Sequence, residues 1–183
     1  MIIIGLTGHP SSGKDTVARH LETKGFAHIS TSDILRSEMR KEGIPLDRPH
    51  MHNFVNEKRA VRGPGYLIEE AWKVVSGDTI ISGLRSVGEI NMLKEKFGSS
   101  YTLFAIEAPI ETRFSWAQGR GRDADGLTFE QFKAQEEAER HGNANAQQVD
   151  DVIVLADHVI QNTGTKAELK EKVDKLLLEL RNQ

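Results

Sequence analysis

The stretch "GLTGHPSSGKDT", Gly5 to Thr16, constrains the fold of this 183-residue chain more than any other. An apolar, β-rich run, "IIIGLT" (2–7), leads into it, and a helical pattern, "KDTVARHLETKG", leads out of it. A strand that ends at a glycine and a helix that begins at a lysine form the frame of a phosphate-binding loop. Gly8, Gly13 and Lys14 hold its fixed places. Glycines let backbone N–H groups turn inward around anionic oxygens. The following helix points its positive N-terminus at the same oxygens, and Lys14 reaches the β- and γ-phosphates. His9, Pro10, Ser11, Ser12, Asp15 and Thr16 complete the expected ATP-binding loop. One letter departs from the usual pattern: Asp15 stands where Ser or Thr would hold Mg²⁺.

The rest of the chain alternates short apolar strands with helical patterns. Further strands are expected at "FAHIS" (26–30), "TIIS" (79–82), "YTLFAIE" (101–107) and "HVIQN" (158–162). Helices are expected at about 14–23, 32–42, 64–76, 88–97, 110–119, 129–140, 147–155 and 166–181. In the last, Leu169, Val173, Leu176, Leu177 and Leu180 share one face, and Thr165 with Glu168 makes a capping-box pattern. Strands spaced by helices imply parallel pairing in a doubly wound α/β sheet, within a single domain over 1–183. Two segments leave this alternation. One is 43–63, with Pro45, Pro49, His50 and His52; the other is 119–127, "GRGRDADGL". The glutamate-rich "EQFKAQEEAER" reads as a solvated helix face.

Composition narrows the classes. Apolar residues make up 38% of the chain and the net charge is −3. That gives no global electrostatic case for nucleic acid. There is no cysteine, hence no disulfide, thiolate metal site or cysteine nucleophile. The first apolar run lacks a basic leader and is too short for a signal peptide. No stretch approaches the roughly 20 apolar residues of a membrane helix. A cytoplasmic protein, monomer or homodimer, is the expectation. His50 and His52 make one pair without a close acidic partner and do not suggest a metal site.

Four further segments carry a resemblance. "STSDILR" (30–36) looks like the segment after the second strand of adenylate kinases. "ISGLRSVGE" (81–89) resembles their third strand and the turn after it, and "RFSWAQGRGRDADG" (113–126) is similar to their lid. "ADHVIQNTGTKAEL" (156–169) resembles the last strand and base-binding loop of dephospho-coenzyme A kinases and archaeal adenylate-kinase-like proteins. With the phosphate loop, these motifs resemble the P-loop nucleoside monophosphate kinases from Met1 to about Leu180. The resemblance implies a P-loop three-layer α/β/α fold with a five-stranded parallel sheet, an acceptor-binding insertion at about 43–63 and a short lid at about 119–127. It implies transfer of the γ-phosphoryl of ATP to a nucleoside or deoxynucleoside monophosphate, with Mg²⁺. Dephospho-coenzyme A is the alternative acceptor, and a nucleotide-binding regulatory module with little turnover is a second alternative.

Phosphoryl transfer rests on positioning and charge neutralisation, so cationic forks are needed on both substrates. Arg36 and Arg85 match the arginines that hold the acceptor phosphate, and guanidinium suits this bidentate work. Arg59 is a further acceptor-side candidate. Arg120 and Arg122 match lid arginines that close over the transferring group and, with Lys14 and Arg85, form the expected catalytic set. Arg113 matches a residue that stacks on the ATP base, and Asn162, Thr163 and Gly164 would lie against that base. Thr31 and Asp33 match contacts to the acceptor and to the metal's water shell; "STSD" is equally a helix N-cap with a first-turn carboxylate. Glu89 matches a reader of the acceptor base, or is a surface helix glutamate. Relatives often place Asp before the glycine that follows the third strand, and here that residue is Ser82. Asp15, with Asp33, is the expected metal carboxylate in its stead.

Overall fold

The computed structural model describes residues 1–118, 127–140 and 147–182. Five strands form one sheet: β1 (Ile3–Thr7), β2 (Ala27–Ser30), β3 (Thr79–Ser82), β4 (Tyr101–Glu107) and β5 (His158–Gln161). Their order is β2-β3-β1-β4-β5, and every pairing is parallel. This is the α/β sheet expected from the alternating pattern. β1 lies at its centre, with Ile4 opposite both Ile80 and Thr102, and all five of its residues are buried.

Period-two alternation sends neighbouring strand residues into different layers. Ile4 and Leu6 pack with Ile80, Phe104 and Ile106 against α1 (Lys14–Glu22) and α9 (Lys166–Arg181), through Val17, Leu21, Leu169, Val173 and Leu177. Ile3, Ile81 and Leu103 face the other way. They meet Ile68 of α4 (Tyr66–Trp72), Ile90 and Leu93 of α5 (Val87–Phe97) and Val152 of α8 (Val149–Val154). Helices on both faces of a parallel sheet make the three-layer α/β/α arrangement. The capping box of Thr165 and Glu168 opens α9 as expected.

The insertion differs from its sequence reading as an excursion. It contains α3 (Arg48–Arg62), a helix of 15 residues. The Asp47 carboxylate caps its start by accepting from the His50 N–H at 3.1 Å, Pro49 occupies the first turn, and Gly63 ends it at φ 92°. These are ordinary helix boundary signals. Phe54 and Val55 of α3 form a separate small core with Leu35 and Met39 of α2 (Thr31–Lys41) and with Tyr66 and Leu67 of α4. The helix expected at 64–76 is shorter, Tyr66–Trp72. The two remaining helices are α6 (Ile110–Ala117) and α7 (Phe129–Arg140).

Candidate active site

Parallel strands end on one edge of the sheet, and most of the candidate segments follow those ends. The loop 8–13 follows β1, Thr31 follows β2, Gly83–Arg85 follow β3, and Asn162 follows β5. Ligands of open α/β sheets bind at this edge.

The loop has the backbone its glycines allow. Gly8 sits at φ 132° and Gly13 at φ 110°, with Ser11 at φ 60° between them. A Cβ on Gly8 would collide with the Ile106 carbonyl, and one on Gly13 with the Asn162 amide. Lys14 folds back over the loop, its Nζ donating to the Gly8 and His9 carbonyls at 2.6 and 2.7 Å. The Ser12 hydroxyl is buried without a hydrogen-bond partner among the described residues. Asn162 Nδ2 donates to the Ser12 carbonyl at 2.8 Å. Asn162 is buried and braces the loop from below, whereas Thr163 and Gly164 are exposed. Asp15 is exposed on the first turn of α1.

His9 turns away from the loop interior. Its Nε2 lies 3.0 Å from Asp150 Oδ1 of α8, and its Nδ1 lies 3.9 Å from Glu136 Oε1 of α7. That Nδ1 has no hydrogen-bond partner among the described residues. Burial pushes the imidazole below its ordinary value. Glu136 opposes this, Arg113 adds to it, Asp150 opposes it and Lys14 adds to it. Nε2 faces Asp150 at close range, and Nδ1 faces Glu136 at the longer distance.

Arg113 is 4% exposed and fully engaged. Its Nη1 and Nη2 make a bidentate pair with Glu136, its Nε donates to the Ala108 carbonyl at 2.8 Å, and Nη1 reaches the Pro10 carbonyl at 3.3 Å. These contacts describe a brace between α6, α7 and the loop rather than a ring-stacking arginine. The stretch "EQFKAQEEAER" is solvated at Glu130, Gln131, Lys133, Ala134 and Glu137, as expected, but it also buries one side through Phe132, 3% exposed, and Glu136, 6% exposed.

On the other side, Thr31 is buried and its Oγ1 donates to the Ser82 and Gly83 carbonyls at 3.1 and 3.0 Å. Ser30 caps α2 by accepting from the Asp33 N–H. Asp33 is exposed, and Arg36 Nη1 donates to its Oδ1 at 3.1 Å. Ser82 Oγ is hydrogen-bonded to His28 Nε2 at 2.8 Å. Glu89 is 0% exposed, which excludes the surface-glutamate alternative. Its Oε2 accepts from the backbone N–H groups of Arg85 and Ser86 at 2.7 and 3.1 Å, completing a capping box with Ser86. Arg59 is 2% exposed, and its Nη2 donates to Glu89 Oε1 at 2.9 Å. Among the described residues, Arg59 Nε and Nη1 are buried without a hydrogen-bond partner. Arg85 Nη1 donates to Gln147 Oε1 at 2.9 Å. The structure thus joins Arg59, Glu89 and Arg85, three residues expected on the acceptor side.

Arg120 and Arg122 lie outside the described residues. Among the described residues, no three His, Asp or Glu side chains gather as a metal site. No helix described is long and apolar enough to cross a membrane. The sequence reading missed Glu136, Gln147 and Asp150. Glu136 and Asp150 lie on helices, and Gln147 just before one; helical periodicity says nothing about which distant loop they touch.

Residues 7–133 match the AAA domain family. A UPF0200 protein of Pyrobaculum aerophilum is 34% identical over 183 residues, covering 98% of this chain and 98% of that protein. Among solved structures, TT1252 from Thermus thermophilus superposes with a TM-score of 0.61 at 24% identity, covering 98% of this chain and 97% of that one. The shikimate kinase of Aquifex aeolicus superposes with a TM-score of 0.57 at 17% identity, covering 98% and 96%. These likenesses show the fold.

Proposed function

Because this chain belongs to the AAA domain family and has the P-loop kinase fold, we propose that it moves the γ-phosphoryl of Mg·ATP onto a nucleoside or deoxynucleoside monophosphate. The observation that carries this reading is the loop Gly8–Gly13, whose left-handed glycines open directly into α1 beside Lys14. Such a loop cradles phosphate oxygens with backbone N–H groups, and its lysine neutralises the charge that builds up during transfer.

The acceptor side is Arg36, Arg59 and Arg85, with Thr31 and Glu89 holding the turns that present them. Arg59, buried in its pair with Glu89, supports the turn that presents Arg85, because Glu89 accepts from the Arg85 N–H. Arg120 and Arg122 supply further charge at the transferring group. Asp15 and Asp33, exposed carboxylates on the first turns of α1 and α2, fit the donor chemistry of Mg²⁺, which takes one or two carboxylates plus phosphate oxygens. When bound, Mg²⁺ neutralises phosphate charge. Asn162, Arg113 and His9 brace the loop. Dephospho-coenzyme A remains the alternative acceptor.

The test is ADP release, by a coupled assay, against the common NMPs, dNMPs and dephospho-coenzyme A. Acceptor-dependent turnover with one of the monophosphates is expected. ATP binding without turnover on any acceptor would replace the kinase reading with a nucleotide-binding module. Lys14→Ala should abolish transfer, because the β- and γ-phosphates lose the cation that positions them.

A further inference from the structure

The short helix α8 and the two residues before it carry no role in the reading above, yet they touch both halves of the site. Gln147 Oε1 accepts from Arg85 Nη1 at 2.9 Å. The Gln148 N–H donates to the Arg85 carbonyl at 2.7 Å, and Gln148 Oε1 accepts from the Val87 N–H at 3.4 Å. One turn on, Asp150 Oδ1 meets His9 Nε2 at 3.0 Å. Asp150 Oδ2 is fixed in turn by Arg140 Nε of α7 at 2.7 Å. The helix cannot drift independently of the sheet, because Val149 and Val152 are both 0% exposed and Val152 packs in the core beside Ile3 and Leu103.

We infer that Asp150 is a positioning residue, and that the segment 147–150 couples the phosphate loop to the turn that carries Arg85. Asp150 holds His9, and His9 holds the backbone of the loop from outside. Gln147 and Gln148 hold the side chain and backbone of Arg85. Phosphate bound at the loop therefore bears on the Arg85 turn through the contacts His9–Asp150, Gln147–Arg85 and Gln148–Arg85, which lie on one short segment. The orphan Nδ1 of His9 fits this arrangement. The ring's Nε2 lies 3.0 Å from Asp150 Oδ1, whereas Nδ1 stands off from Glu136 Oε1 at 3.9 Å.

The inference relies on the ATP-site reading only for the ligand arm of its test. The first arm is amide hydrogen exchange of the protein without nucleotide. Asp150→Ala should speed exchange at 8–14 roughly tenfold, through the loss of its charge-assisted contact to His9. Asp150→Asn keeps an acceptor oxygen for His9 and should recover most of the protection. Unchanged exchange at 8–14 in Asp150→Ala overturns the proposal. The second arm adds Mg·AMP-PNP. In wild type, protection should appear at 8–14 and also at 83–88; in Asp150→Ala it should appear at 8–14 alone. Equal protection of 83–88 in both proteins overturns the coupling. If AMP-PNP protects neither segment in wild type, the nucleotide reading fails, and the first arm still decides the role of Asp150. Should Asp150→Ala fail to fold, His9→Asn cuts the same link from the loop side and must give the same pattern.

Discussion

At the scale of single residues, two buried groups set measurable costs. Arg59 and Glu89 form an ion pair with both side chains at most 2% exposed. Removing one partner leaves a buried charge behind, which typically costs about 3–5 kcal/mol. Glu89 keeps two backbone donors when Arg59 is lost, so Arg59→Ala should cost near the lower end, about 3 kcal/mol, in urea unfolding. A cost under about 1 kcal/mol would mean that water reaches Glu89 and the pair is not sealed. His9 gives a pH dependence. Its folded-state value lies below the ordinary 6.5, chiefly because of burial. As pH falls through about 6.5, the unfolded chain takes up this proton before the folded chain does. The stability tied to a neutral His9 is therefore complete above about pH 6.5 and is lost as pH falls from there toward the folded-state value. Melting temperatures at pH 7.5 and 5.5 should differ more in wild type than in His9→Asn. Equal acid sensitivity in the two proteins would show that other groups carry the effect.

At the scale of elements, α3 shows both what a sequence displays and what it hides. The strands were legible because "IIIGLT" and "YTLFAIE" are apolar runs too short for helices, bounded by turn residues. The helix α3 was hidden behind Pro45, Pro49 and two histidines, which weighed more in the reading than its caps. Pro49 sits in the first turn, where no intrahelical N–H is lost. Asp47→Ala removes the cap and should cost about 1 kcal/mol, with faster amide exchange confined to 48–53. Exchange that instead rises through the whole of α2, α3 and α4 would mean that the small core around Phe54 and Tyr66 depends on this one cap. The phosphate loop was legible because Gly8, Gly13 and Lys14 act through local backbone. Glu136 and Asp150 were not, because their importance comes from folding α7 and α8 back onto a loop far away in sequence. No local pattern encodes that meeting.

At the scale of the whole molecule, the parallel sheet brings the ends of β1, β2 and β3 to one edge, and with them Asp15, Asp33 and Ser82. Here the substitution of Asp15 for the usual hydroxyl becomes intelligible. We propose that Asp15 holds the metal's water shell in place of a carboxylate at the end of β3, where Ser82 is hydrogen-bonded to His28 on the edge strand. The alternative is a first-turn carboxylate that only complements the dipole of α1. Electrostatics separates the two. A carboxylate about 4 Å from a bare phosphate oxygen meets repulsion of roughly 4 kcal/mol per charge pair at an effective dielectric of 20. A working phosphate site tolerates that only with a cation between the two groups. ATP binding should therefore depend steeply on Mg²⁺. Asp15→Ser should bind metal-free ATP better and need more Mg²⁺ for turnover. Ser82→Asp added to Asp15→Ser should restore the metal response, because two groups serving one ion are not additive. It should also pull on His28, whose Nε2 now meets the Ser82 hydroxyl, so the imidazole resonance of His28 by NMR reports whether the new carboxylate turns toward the metal or toward β2. The measurement is a Mg²⁺ titration of turnover in wild type, both single variants and the double. Equal half-saturating Mg²⁺ in wild type and Asp15→Ser would leave Asp15 as a helix-start residue and return the metal site to Asp33 alone.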